Sequence, residues 1–393
     1  MCNRIKSKLM PQKEIFIGMN GSMLDNKPTG TGIYSFNIIN NLSHLQWGEN
    51  HCKLTVFTPT RSNLSEKLLV VKLSDLLQSS RFGKVAAQTR FLWNTFCYPF
   101  QARGFDLLVS PTTHGSFLLK NQIITIHDLI SLRYKNISPH QRFYFKYLLP
   151  FLVSRARLIV TVSETSKRDI VHFLKCPENK VQVIHNGYDN THYYGTGERS
   201  DRIDQAYGVR NYLLAVGPTY PHKNFETLID AYASLDARVR KDHPLVIAGG
   251  MKAYITKLKQ RVRKAGLDDD IHFLGYVPFE SMPSLYREAF LLVFPSLYEG
   301  FGIPLVEAMA CGCPVIVSDT SSMPEVCGDA AFYIDPNSKE SIRKSIETLV
   351  ADAGLRDCLR QKGYARAAHF SWKKAAESFK SLIENQLQNT KLN

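Results

Sequence analysis

Short apolar, β-branched runs alternate with longer amphipathic stretches along the whole chain, the pattern of parallel strands joined by helical crossovers. In the first half these runs predict strands at residues 14–19, 53–59, 106–113, 122–129, 157–163 and 180–186. The second half repeats the scheme at 212–217, 244–249, 271–276, 291–295, 314–319 and 331–334. Between the two series, residues 187–208 (GYDNTHYYGTGERSDRIDQAYG) are polar and without periodicity, which reads as a connector. The expectation is an α/β chain of two doubly wound parallel-sheet domains, residues 1–190 and 191–370, with the boundary near residue 190. Residues 371–393 continue as a helix, and packing back on the first domain is one destination open to it. Ligands of such sheets bind beyond the carboxyl ends of the strands, so the cleft between the domains is where chemistry is expected.

Composition narrows the class. With 393 residues, 44% hydrophobic and 21% charged, the chain has enough apolar material for two full cores. Its formal charge is +14, and the excess is uneven: residues 1–190 hold 24 Lys and Arg against 11 Asp and Glu, the remainder 25 against 24. Nucleic acid, anionic membrane and phosphorylated ligands are the usual partners of a basic surface. No Arg-rich tract or nucleic-acid motif is present, which argues against nucleic acid. In residues 81–103 and 133–157, bases interleave with aromatics: Phe82, Phe91, Trp93, Phe96, Tyr98 and Phe100 in the first, Phe143, Tyr144, Phe145 and Tyr147 in the second. That combination suits an interfacial helix of the first domain on an anionic membrane; the alternative is that the aromatics face the domain core and only the bases are exposed. No apolar run reaches spanning length. The eight cysteines form no C-x-x-C pair, and Cys311 and Cys313 lack further ligands at zinc spacing. Reduced thiols in a cytoplasmic protein, at the inner face of the membrane, are the expectation.

The most informative segment is residues 291–319, LLVFPSLYEGFGIPLVEAMACGCPVIVSD: strand, glycine-rich turn, helix, turn, strand. Gly300 and Gly302 allow close backbone approach, and Pro304 suits a first helical turn. The amides of Phe301, Gly302 and Ile303 then lie at the helix's positive end, a ready phosphate site. Glu299 precedes the helix and Glu307 lies about one turn inside it, so the two carboxylates address different parts of one ligand.

The E-x7-E spacing of these glutamates, continued by EAMACGCPVIVSD, resembles the signature of the retaining GT-B glycosyltransferases of family 4. Further segments resemble the family in order: GTGIY at 30–34, TIHDL at 125–129, VSETSKRDI at 162–170, VIHNGYD at 183–189 and VGPTYPHKN at 216–224. The resemblance implies a GT-B fold of two Rossmann-like domains. It also implies transfer of a hexose from a nucleotide sugar to a saccharide, with no cofactor and no metal. The stretches TIHDLISLRY and PHKNFETLIDAY are most like bacterial mannosyltransferases of surface polysaccharide synthesis, which makes GDP-mannose the first donor and a UDP-sugar the alternative.

By this resemblance Lys223 faces the leaving diphosphate, Glu299 the donor sugar's hydroxyls, Glu307 the ribose, and His127 the sugar from the first domain. Gly275, Tyr276 and Val277 match where the family holds the base. Gly30 and Gly32 would give close backbone approach from the opposite wall, or form a plain tight turn. The chain departs from the family in this loop: many relatives carry an arginine directly before the lysine or earlier in the loop, where this chain has His222 and Pro218–Thr219. Either His222 is protonated by the bound diphosphate, or the amides at Phe301–Ile303 carry more of the load. The rival reading, a catalytically silent nucleotide-sugar-binding subunit, is disfavoured by the presence of Lys223, Glu299 and Glu307 together. The acceptor is a saccharide or a lipid-linked saccharide.

Overall fold

The computed structural model describes residues 14–26, 30–47, 52–61, 63–134, 137–195, 202–250 and 254–391. The first sheet contains β1 (Ile15–Asn20), β2 (Cys52–Thr58), β3 (Leu69–Lys72), β4 (Leu107–Ser110), β5 (Gln122–Thr125), β6 (Leu158–Thr161) and β7 (Val181–Val183). The second contains β8 (Leu213–Val216), β9 (Leu245–Ala248), β10 (Ile271–Gly275), β11 (Leu291–Phe294), β12 (Val315–Ser318) and β13 (Phe332–Ile334). Strand orders are β3-β2-β1-β4-β5-β6-β7 and β10-β9-β8-β11-β12-β13, and every pairing is parallel. β4, β5, β6, β8, β9, β11 and β12 are buried at every position, as sheets covered by helices on both faces require.

Two differences from the sequence reading have physical causes. β3 was not predicted, because LVVK is an edge strand with three of its four positions more or less open to solvent and its apolar residues shared between faces. Most predicted strands also end too late. β5 stops at Thr125 rather than residue 129, so His127 stands in the loop beyond it, and β7 stops at Val183. The apolar pattern outlasts the ladder because the chain turns into the cleft while still buried: Ile126, Leu129 and Ile184 keep full core contact.

The predicted connector is only partly one. Residues 196–201 lie outside the described set, but Arg202–Tyr207 is a helix, and Tyr193, Ile203 and Val209 are buried in the core. The final helix, Trp372–Lys391, returns to the first domain and lies along helix Gly30–His44. There Phe379, Ile383 and Leu387 are buried, at about 1.5–3 kcal/mol each. The Trp372 ring meets Tyr34 edge-on at 5.8 Å, and Arg157 donates to the Gln386 carbonyl at 3.4 Å.

The chain therefore crosses between the domains twice, once after β7 and once before Trp372, and the two crossings touch. A Cβ built on Gly187 would lie 2.0 Å from the Trp372 nitrogen and 2.3 Å from the Ser371 carbonyl carbon. Both neighbours are backbone and cannot step aside. Gly187→Ala is therefore expected to cost about 2 kcal/mol or more, read as a fall in thermal midpoint of several degrees by calorimetry. An unchanged midpoint would show that the crossings separate freely.

Candidate functional site

The wall contributed by the second domain is built from the loops that follow β8, β10 and β11. After β8, the short turn Pro221–Lys223 leads into helix Phe225–Ala233 through Asn224, whose backbone is left-handed with φ 60°. The Asn224 amide donates to the carbonyls of Pro295 and Pro336, at 3.1 and 2.7 Å, pinning this loop to the one after β11. That pin brings Lys223 Nζ to 2.6 Å from Glu299 Oε1 and 5.2 Å from the centre of the Phe294 ring. Both side chains are about nine-tenths covered, at 9% and 13% exposure, so the pair is held with little solvent screening.

Glu299 is fixed in turn by the loop after β12. Ser321 Oγ accepts from the Glu299 amide and donates to its carbonyl at 2.7 Å, while Ser322 Oγ reaches the Glu299 and Phe301 carbonyls at 3.0 and 3.1 Å. Gly302, at φ 98°, starts helix Ile303–Ala310, which carries no side-chain cap at its positive end. The Phe301 side chain points away, packing 5.8 Å from His185 and 5.5 Å from Phe370, so only its backbone serves the site. Further along this helix Glu307 accepts from the Tyr286 hydroxyl at 3.0 Å and from Tyr193. Burial, opposed by these two hydrogen bonds, pushes its carboxyl up to about 7. At the far end Gly275 turns with φ 72°, Tyr276 is 77% exposed and Val277 is buried, so a flat aromatic surface stands at the mouth.

The first domain closes over this wall at His127. A Cβ on Gly300 would lie 2.8 Å from the His127 carbonyl oxygen and 3.0 Å from Asp128 Cβ, so only glycine permits the approach. Ser166 Oγ sits between the domains, donating to His127 O at 2.9 Å and within 3.4 Å of Gly300 O. The Tyr298 hydroxyl donates to Asp169 at 2.7 Å, and Asp169 also holds the Arg133 guanidinium. Beyond these, Glu325 accepts from the Glu164 amide at 3.0 Å and from His185 at 2.7 Å. A cavity of about 530 Å³ opens between Arg133, Arg168, Tyr298 and Ser321; neither Lys223 nor Glu299 lines it.

Thus Lys223, Glu299, Gly302, Ile303, Glu307 and His127 line or border one cleft. Gly30 and Gly32 lie in the first turn of helix Gly30–His44, which sets aside the plain tight turn; a Cβ on Gly30 would meet nothing within 4 Å, so the backbone there is open to approach. His222 supplies no charge in the free protein. Burial and the neighbouring Lys223 lower it to about 4, and its Nδ1 has no hydrogen-bond partner. Its ring instead stacks on Tyr220 at 5.8 Å. Burial likewise lowers His127 to about 4. Its Nε2 lies 3.1 Å from the Pro111 carbonyl and must carry the proton, leaving Nδ1 as the acceptor edge of a neutral ring.

Sequence reasoning missed Asp128, which lies against Gly300 and whose carboxyl burial raises above the usual aspartate range. It also missed the tyrosines on Glu307. Tyr193 sits in the supposed connector and gives no periodic signal, whereas Ser321 and Ser322 were legible as a polar turn after a strand but not as braces for Glu299. Among the described residues, no group of three or more His, Cys, Asp or Glu is placed to hold a metal ion.

This geometry has matches among known proteins. The model for glycosyltransferase family 4 matches residues 30–192, and that for glycosyl transferases group 1 matches residues 198–366. The O-antigen chain mannosyltransferase RfbU of Salmonella typhimurium is 31% identical over 339 residues, 84% of this chain and 90% of that protein. The chain belongs to the family 4, group 1 glycosyltransferases. O-antigen chain mannosyltransferase B of Escherichia coli is 33% identical to this glycosyltransferase over 65% of its chain and 68% of that protein. In fold it is similar to a sucrose-phosphate synthase from Thermosynechococcus elongatus, with TM-score 0.73, 17% identity, and 96% and 100% of the two chains covered. Anabaena HepE, solved with UDP and glucose, gives TM-score 0.71 at 18% identity, covering 95% and 100%. The two parallel sheets facing a cleft are therefore a GT-B fold.

Two outcomes test the site. Lys223→Ala is expected to lower turnover about 100-fold or more at saturating donor, because a cation aimed at a leaving phosphate acts mainly in the transition state; unchanged turnover would remove Lys223 from the chemistry. Glu307 gives a pH signature. With its carboxyl near 7, losing its proton lets both oxygens accept, and more strongly, from ribose hydroxyls, so nucleoside diphosphate affinity is expected to tighten from pH 6 to pH 8. Glu307→Gln should bind more weakly and lose that increment. Calorimetric titration of both proteins with one nucleotide cancels the phosphate's own ionisation, and parallel pH slopes would refute the ribose role.

Proposed function

We propose that this glycosyltransferase moves mannose from GDP-mannose to a saccharide acceptor carried on a lipid, with retention of configuration and without a metal ion, at the cytoplasmic face of a membrane. The carrying observation is the buried Lys223–Glu299 pair beside the uncapped start of helix Ile303–Ala310, facing His127 across the cleft. A nucleoside diphosphate laid along this wall meets Tyr276 with its base, Glu307 with its ribose, and Lys223 and the helix end with its diphosphate. The mannosyl choice rests on the O-antigen mannosyltransferases among the relatives.

Charge develops on the leaving diphosphate as the bond from the sugar's anomeric carbon breaks. Lys223 and the helix dipole stabilise it, and both are in place beforehand, so little reorganisation is needed at the moment of reaction. Glu299 orients the sugar hydroxyls while holding Lys223. His127, neutral and with Nδ1 as acceptor, contributes a hydrogen bond from the other wall rather than a charge. The acceptor oxygen attacks the anomeric carbon on the face the diphosphate leaves, and its proton passes to a leaving phosphate oxygen. Retention follows from that shared face without a covalent sugar–enzyme intermediate.

A panel of nucleotide sugars tests this reading. GDP-mannose is expected to raise the thermal midpoint most, and its transfer, followed with excess EDTA present, should proceed and give product of the donor's anomeric configuration by NMR. Stabilisation by a UDP-sugar alone would reassign the donor. Loss of activity in EDTA with recovery on adding magnesium or manganese would refute metal independence, and donor binding without any transfer would favour a silent subunit.

A further inference from the structure

Away from the cleft, the first domain has an apolar face that its own fold leaves uncovered. Helix Ser79–Leu92 continues through the wider turn Trp93–Cys97 into Tyr98–Gln101, and Pro139–Phe143 continues through Tyr144–Leu148 into Leu149–Arg155. Each composite helix buries one side, with Trp93 and Tyr98 inward in the first and Phe145, Leu149 and Leu152 inward in the second. On the other side Leu92, Phe96 and Phe100 are 54%, 62% and 61% exposed, and Phe143, Tyr147 and Phe151 are 59%, 57% and 54% exposed. A four-residue spacing places each trio along one helical stripe. The two helices are joined at the surface through Phe117, whose ring lies 6.4 Å from Phe91 and 6.2 Å from Phe151.

The charge on this face has one sign. Residues 79–103 and 139–157 contain no Asp or Glu. Arg103 lies 4.8 Å from the Phe100 ring, Lys146 5.0 Å from Tyr147 and Arg155 5.7 Å from Phe151, so a cation stands at the edge of each stripe. A second copy of the same face would oppose these cations with cations. An anionic bilayer satisfies both features, accepting the aromatic rings at the depth of its headgroups and the cations at its phosphates.

We propose that this two-helix face docks the enzyme on an anionic phospholipid bilayer by inserting its aromatic stripes between headgroups. The purpose of the docking, though not the docking itself, rests on the lipid-linked acceptor proposed above. Insertion and charge attraction separate by salt: screening shortens to about 3 Å at 1 M, which removes attraction but not apolar burial.

The test is co-sedimentation of the full chain with vesicles of phosphatidylcholine alone or mixed with phosphatidylglycerol, at about 0.1 M and about 1 M NaCl. The expected result is strong binding to the anionic vesicles at low salt, with a fraction persisting at high salt. The double variant Phe100→Ser and Phe151→Ser should lose about tenfold in partitioning and all of the salt-resistant fraction. Arg103→Glu with Lys146→Glu should lose the low-salt binding. Nucleoside diphosphate affinity should match the wild type in both, since none of these residues borders the cleft, and this shows that the variants are folded. Three results would overturn the proposal: equal binding to neutral and anionic vesicles, equal binding of the serine variant and the wild type, or a dimer in sedimentation velocity that the serine variant abolishes. Each would leave the transferase reading standing, whereas a failure of nucleotide binding with vesicle binding intact would do the reverse.

Discussion

The close approach of Gly300 to the His127 carbonyl is the constraint on which the rest of the cleft depends. At 2.8 Å from a would-be Cβ, no side chain fits between the two walls, so the glycine-rich turn does two jobs. It leaves the start of helix Ile303–Ala310 without a side-chain cap, and it lets the opposite domain come within bonding distance. The surrounding contacts follow from that closeness. Ser166 reaches both backbones, Tyr298 reaches Asp169, and Glu325 caps the helix that begins at Glu164. Residues on either side of Glu299 are thereby tied to the first domain, and Glu299 itself is tied to Lys223.

The electrostatics of the cleft are finely balanced. Lys223 is already neutralised by Glu299, and neither histidine is charged, since burial lowers both His127 and His222 to about 4. Three carboxyl groups, Asp128, Glu299 and Glu307, share the region. Burial raises Asp128 and Glu307 above the usual carboxylate range. His222 therefore brings no cation to this loop. In the function proposed above, the load falls on Lys223 and on the helix that starts at Ile303.

Much of this was legible in the sequence, for identifiable reasons. Buried parallel strands leave runs such as LLVF and VIVS that no other element mimics, and the turn EGFGIP announces both its glycines and its helix start. Glu299 and Glu307 could be assigned to different parts of one ligand because the first precedes the helix start marked by Gly302 and Pro304 and the second lies about one turn inside it. What stayed hidden depends on chain segments meeting from afar. Tyr193 comes to Glu307 from a stretch without periodicity, and Asp128 faces Gly300 only because two domains close. The GTG at residues 30–32 left a tight turn open, yet those glycines sit in a helical turn, and their helix is held by Tyr34, Ile38 and Leu42 in the core. β3 escaped notice because an edge strand need not carry a buried pattern.

The return of helix Trp372–Lys391 to the first domain also bears on how the protein is made. The residues it covers, among them Tyr34 and the helix Gly30–His44, leave the ribosome more than three hundred residues before their cover does. Throughout that interval the nascent first domain carries an open apolar seam, while the second domain can form its sheet unaided. Folding is then completed from both ends at once, when the last helix emerges and seats itself. A chain whose synthesis stops near residue 370 would contain every strand and every cleft residue named here, yet it would expose that seam to chaperones and to its neighbours.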